Sequence, residues 1–174
     1  MSSNRTQIRA PGAIVAVGAT GVVTAFLLAF MGVHEGTRYK PYQDVAVPGL
    51  WTVCRGITNR AAPGWVVPGK TYTEAECAAK EIEIIETKIA PVIDTCRKVR
   101  ITQRQWEMLV DFAWNVGTKS TCESTLMRKL NAGDCYGAAG EFDRWVKAGG
   151  RKWPGLANRR DAEQGEFVAW CGKV

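Results

Sequence analysis

HEGTRYKPYQDVAVPGLWTVCRGIT, residues 34–58, is the stretch on which the reading of this chain turns. It opens with Glu35, just after a long run without formal charge. It carries a second acid, Asp44, among Tyr, Val, Pro and Gly residues that favour strand and turn. Trp51-Thr52-Val53-Cys54 and Ile57-Thr58 read as short strands broken at Gly56, and Pro48-Gly49 marks a turn ahead of them. Two carboxylates on adjoining elements, with the hydroxyl of Thr52 nearby, are groups that can serve hydrolysis of a glycosidic bond. An arbitrary Glu/Asp pair is most often two solvated charges, so the remainder of the chain has to decide.

Upstream, PGAIVAVGATGVVTAFLLAFMGVH fills residues 11–34, and no formal charge falls between Arg9 and Glu35. A helix of that length spans a bilayer's hydrocarbon core. Arg5 and Arg9 before it place the N-terminus in the cytoplasm and the rest outside. A cleaved signal peptide wants a small-x-small site after its apolar core, and Phe30-Met31-Gly32-Val33-His34 offers none. A permanent anchor is normally richer in Leu and Ile. The many Gly and Ala residues best fit a marginal, uncleaved anchor, since each exposes little apolar surface when the run leaves the bilayer. A buried helix of a soluble domain is the bland alternative. The charge-free length and the flanking arginines argue against it.

At 174 residues the chain suits one domain plus a short appendage. The division expected is 1–33 for the apolar segment and 34–174 for the domain. A net charge of +6 favours an anionic partner, but the basic residues form no dense run, so nucleic-acid binding has no motif behind it. The six cysteines, Cys54, Cys77, Cys96, Cys122, Cys135 and Cys171, all follow the apolar run. An even count in an exported domain permits up to three disulfides, although buried free thiols fit equally and connectivity is open. With no C-x-x-C pair and His34 the sole histidine, no zinc site is expected.

From residue 71 onward the pattern is helical. Thr73 to Glu76 and Thr102 to Gln105 are capping boxes, and Ser120 to Glu123 reads as a third. The first opens a helix through Ile82, Ile85 and Ile89 that Pro91 is expected to close. The second opens a helix with Trp106, Leu109, Val110 and Ala113 on one face, ending near Gly117. Asp134 is a candidate N-cap for a helix turning Ala138, Phe142, Trp145 and Val146 inward. Gly149-Gly150 is a turn, and a last helix is expected from about Leu156 to Trp170. Arg159 and Arg160 suit a carboxylate or a wall anion, but an isolated Arg pair is more often solvated. The layout is α+β, a small β-hairpin region plus a mostly helical lobe with an N-terminal apolar helix, and a cleft between them is a place for a polymer chain to lie.

Taken together these residues resemble the phage lysozymes of glycoside hydrolase family 24. There a catalytic Glu is followed by eight residues, an Asp or Cys, five residues and a Thr. Glu35 and Asp44 match the first spacing, and the likeness continues through WTVCRG, GKTYTEAEC, FAWNVG, STLMRKLNAGD, RWVKAGG and PGLANRRDAE. It departs between Asp44 and Thr52, where seven residues intervene. The extra two fit the Val47-Pro48-Gly49 turn, where insertion costs little. The apolar run then resembles a signal-arrest-release segment.

The resemblance implies a lysozyme-like fold and an endolysin that hydrolyses the β-1,4 bond between N-acetylmuramic acid and N-acetylglucosamine. Glu35 would be the general acid, Asp44 the ionised stabiliser that helps activate water, and Thr52 the residue that orients it. Retention and inversion both stay open; inversion is the outcome expected, and a carboxyl separation of about 6.5–9.5 Å would support it. The resemblance also implies a monomer with no metal or cofactor, whose partners are peptidoglycan and, through residues 10–33, the host inner membrane. Such an enzyme is held there and then freed into the periplasm. Relatives activated by thiol exchange carry a Cys in the anchor and a Cys at the catalytic position. This chain has neither, so release alone is expected to activate it. A lytic transglycosylase and a tethered, non-catalytic wall-binding module are the rival readings.

Overall fold

The computed structural model describes residues 11–43 and 47–174. Its apolar N-terminal run is not one helix. Residues 11–24 run through turns and a two-residue strand, β1 (Ile14–Val15), which pairs antiparallel with β5 (Ile101–Thr102). Gly18 takes φ +76°, a conformation that breaks any helix there. Helix α1 (Ala25–Glu35) begins only after Thr24, whose hydroxyl accepts the Leu27 amide. Leu27 and Met31, four residues apart, bury one face of α1, and Gly36 ends it at φ +66°. Among the described residues no helix is long and apolar enough to cross a membrane.

After α1 the chain forms a three-stranded antiparallel sheet in the order β2 (Arg38–Gln43), β3 (Trp51–Cys54), β4 (Ile57–Thr58). The two short strands read around Gly56 are β3 and β4. They are joined by a tight turn in which Cys54 and Gly56 both take positive φ. Tyr42 and Thr58 flank Thr52 on either side. Residues 59–70 are irregular, as their Pro and Gly content implies.

The helical lobe follows. Thr73 caps α2 (Glu74–Ile84) with the full reciprocal box to Glu76. Pro91 does not close this helix. A π-helical turn, Ile85–Ile89, carries the chain into α3 (Ala90–Cys96), with Pro91 in its first turn. A proline has no N–H to donate, so the chain passes it at a helix start, where that donor has no intrahelical partner anyway. Thr102 and Gln105 make the second box, opening α4 (Gln103–Val116), whose residues 103–113 are all buried. The third box is not used. Ser120 to Glu123 lie inside α5 (Thr118–Glu123), and Ser124 is the cap of α6 (Thr125–Asn131), accepting from the Met127 amide at 3.0 Å.

Asp134 caps a shorter helix than expected, α7 (Cys135–Ala139), and Phe142 reaches the core from a 3₁₀ turn (Phe142–Arg144). Gly149-Gly150 forms the turn between β6 (Lys147–Ala148) and β7 (Arg151–Lys152). The last helix, α8, runs Pro154–Val168, starting and stopping two residues earlier than its apolar pattern suggests.

One core joins all these parts. Val15, Val23, Leu27 and Met31 from the N-terminal run pack in the same cluster as Trp106, Leu109, Phe112, Phe142 and Phe167. The six cysteines form three disulfides. Cys54–Cys77 ties β3 to α2, Cys96–Cys122 ties α3 to α5, and Cys135–Cys171 ties α7 to the segment after α8. Each closes a loop of tens of residues, a constraint on the unfolded chain that stabilises by about 3–4 kcal/mol.

Candidate active site

Glu35 is the last residue of α1, so the helix delivers its carboxylate to the edge of the sheet. It lines a cavity of about 280 Å³ with Gly36, Thr37, Arg38, Tyr42, Cys54 and Gly56. The β3–β4 turn closes one wall. A Cβ at Gly56 would lie 3.6 Å from Glu35 Oε2 and 3.7 Å from Trp114 Nε1, and the backbone there is at φ +88°. Those contacts are ordinary ones, so it is the positive φ of the turn that calls for glycine at 56. Trp114 Nε1 donates to the Arg55 carbonyl at 3.0 Å, fixing the turn against α4.

A second cavity, of about 330 Å³, also has Gly56 in its lining. Thr58, Lys88, Trp114 and Gly117 are among its lining residues. Gly56 lines both cavities, so they adjoin there as a candidate groove between the sheet and the helical lobe, and Glu35 lines the first of them. The lining is polar around Glu35, with Thr37 and Arg38, and more apolar in the second cavity, with Ile57, Ile84 and Ile89.

The acid is held from α8. Arg159 Nη1 donates to Glu35 Oε1, while its Nε and Nη2 donate to Asp111 Oδ2 and Oδ1 at 2.9 and 2.8 Å. The expectation that Arg159 and Arg160 are solvated is corrected here, since both are buried. Arg160 donates to Glu163 at 2.5 Å and to Asn115 at 3.2 Å. Four charged groups taken out of water need one another as partners.

Burial pushes the Glu163 carboxyl well up, and a shared hydrogen bond with Asp111 and that residue's charge push it further. Burial works to lower the Arg159 guanidinium, but the charges of Asp111 and Glu35 outweigh it and hold it above its ordinary value. His34, beside Glu35, is lowered chiefly by burial and is neutral at pH 7.

Of the three candidate site residues, Glu35 lines the cavity. Thr52 is buried on β3, opposite Tyr42, and Tyr42 lines the Glu35 cavity, although Thr52 does not. Asp44 lies outside the described residues; Gln43 before it pairs with Trp51. Sequence reasoning missed Asp111 and Trp114, and it held the Arg159–carboxylate contact only as the lesser reading. A charged Asp111 inside the apolar run Leu109-Val110-Asp111-Phe112-Ala113 was the available signal, because a lone acid on a buried face needs a cation.

The phage lysozyme family model matches residues 32–163. The chain belongs to the phage lysozyme family. It is similar to the SAR-endolysin of bacteriophage PS119, 44% identical over 133 residues, with 75% of this chain and 74% of the relative covered. It is also similar to that of Enterobacteria phage P21, 40% identical over 139 residues, covering 78% of each. Among solved structures it is similar to a P22 lysozyme mutant at TM-score 0.74 and 26% identity, with 84% of this chain and 97% of that one covered. It is thus a phage endolysin of lysozyme-like fold.

Proposed function

We propose that this endolysin is a muramidase that cleaves the β-1,4 bond between N-acetylmuramic acid and N-acetylglucosamine in peptidoglycan. The observation that carries the reading is Glu35. It stands at the end of α1, in the wall of a groove and bonded to a buried arginine. A general acid must be fixed within reach of the leaving oxygen and still be able to give up a proton. Glu35 is the acid in this reading. Asp44 is the second carboxylate, stabilising positive charge on the sugar ring and helping to activate water, and Thr52 orients that water. The two cavities that adjoin at Gly56 offer space for a glycan chain to continue past the broken bond.

The enzyme is first held in the host inner membrane by residues 10–33 and becomes active in the periplasm once that segment leaves the bilayer. The name that the relatives carry, SAR-endolysin, supports this. So does the weak apolarity of the run, and so do three disulfides, which belong to an oxidising compartment.

The test is digestion of purified peptidoglycan by wild type and Glu35→Gln, with product masses. Wild type should release fragments with reducing muramic ends and the variant none. Clearing by Glu35→Gln at the wild-type rate sinks the assignment. Products ending in 1,6-anhydro sugars would make the enzyme a lytic transglycosylase, and binding without fragments would make it a wall-binding module.

A further inference from the structure

The stretch from Ala13 to Thr24 is held by the buried side chains of Val15, Val23 and Thr24 and, between them, through its backbone. The Gln103 amide donates to the Ala13 carbonyl at 2.7 Å, and Ile14–Val15 extend the ladder to Ile101–Thr102. Arg97, fully buried, then collects carbonyls. Its Nη1 donates to Val15 at 3.3 Å, and its Nη2 to Ala16 at 3.1 Å and Ala19 at 2.9 Å, with Asp94 Oδ1 at 2.9 Å as counter-charge. The Gln103 side chain satisfies both backbone groups of Val22, accepting its N–H at 3.2 Å and donating to its C=O at 2.7 Å. Between these two grips lies Gly21. A Cβ there would sit 2.3 Å from the Trp106 ring, which Asp94 fixes through Trp106 Nε1 at 3.1 Å. The side chains of Val17 and Thr20 meanwhile face solvent.

We propose that Asp94, Arg97, Gln103 and Trp106 form a receptor site for an extended peptide backbone. Its ligand is this chain's own residues 13–24, and Gly21 sets the register in which they dock. The proposal deepens the release reading above and rests on it for the moment at which the segment arrives. A guanidinium suits the task because it presents several donors in a fixed plane and accepts nothing, so one side chain can take carbonyls from different residues.

A site that reads backbone is indifferent to the side chains at 17 and 20, which are then free to suit a bilayer. It is not indifferent to position 21, where no side chain fits against Trp106. Register matters because Gly21 is followed by the cap at Thr24 and then by α1. A slip of one residue would turn Glu35 by about 100° around the helix axis, away from Arg159 and the groove.

The experiment is hydrogen exchange of full-length protein in the soluble state, read at the amides of residues 15–24 and, as internal control, at those of α2 and α6. Arg97→Lys, Gln103→Ala and Gly21→Ala should each speed exchange at Val22 by about tenfold or more while α2 and α6 stay protected. Val17→Ser/Thr20→Ser should leave it unchanged. Wild-type protection at Val22 in Gly21→Ala and Gln103→Ala overturns the proposal, as does an equal loss in Val17→Ser/Thr20→Ser. If Arg97→Lys unfolds globally, the other two variants decide. Because exchange does not depend on catalysis, a failure of the Glu35 assignment leaves this result standing, and the reverse also holds.

Discussion

The guanidinium of Arg159 lies edge-on to the carboxylate of Asp111, with two parallel hydrogen bonds of 2.9 and 2.8 Å, and both groups are buried. This fork fixes the plane of the guanidinium and leaves one nitrogen, Nη1, for Glu35. Asp111 thereby acts on the groove at one remove, through the arginine it orients. Fork-to-fork geometry of this kind adds direction as well as energy.

Removing one partner leaves the other buried and under-compensated. Asp111→Ala should destabilise the fold by about 3 kcal/mol, measured by denaturant unfolding. Arg159→Lys keeps the charge but loses the fork. Its kcat/KM on peptidoglycan should fall about tenfold or more, while the unfolding midpoint moves much less than in Asp111→Ala. Wild-type turnover in Arg159→Lys would show that the orientation of Glu35 does not matter.

At the start of α2, Lys70 and the Thr73 cap hold the Glu76 carboxyl down to about 2. Its value in the fold lies below its unfolded value, so its contribution is fully present above pH 4.5 and is lost as pH falls toward about 2. Thr73→Ala removes two of the cap's bonds and should lower stability by about 1 kcal/mol at neutral pH. It should also flatten the acid side of the stability curve between those two pH values. Thermal unfolding of both proteins across that window is the check, and parallel curves would exclude the coupling.

The release reading predicts a change of compartment at constant mass. Full-length protein should fractionate with membranes first and later appear soluble without shortening. Replacing Gly18 and Gly21 with Leu should keep it in the membrane fraction. The added apolar surface favours the bilayer, while in the docked state position 18 needs φ +76° and position 21 abuts Trp106. Mass spectrometry of both fractions decides. A doubly substituted protein that becomes soluble as readily as wild type would refute the balance drawn here.

How much was legible in the sequence follows from the range of each interaction. Thr73 and Thr102 cap their helices through residues three positions on, so the pattern alone named the partners. The strands at Trp51–Cys54 and Ile57–Thr58 declared themselves by alternation and by Gly56. Pro91 misled because its rule is local, whereas the π turn that admits it to a new helix is a feature of the packed lobe. Ser120 suggested a cap, but Ser124 serves as one, because α5 runs on to Glu123 before the chain turns into α6.

By itself, then, the sequence determined the β-region and the capped helices, the family, and Glu35 at the end of an uncharged run. Those are properties of spacing and of neighbours within a few residues. Only the tertiary structure decided which cysteines pair and that Arg159 and Asp111 are buried together behind Glu35. It alone decided that the uncharged run, in this state, lies against Arg97, Gln103 and Trp106. Each of those facts joins residues far apart in the chain, and what joins them is burial. A charge or a backbone carbonyl removed from water must find a partner, and the fold determines which partner is within reach.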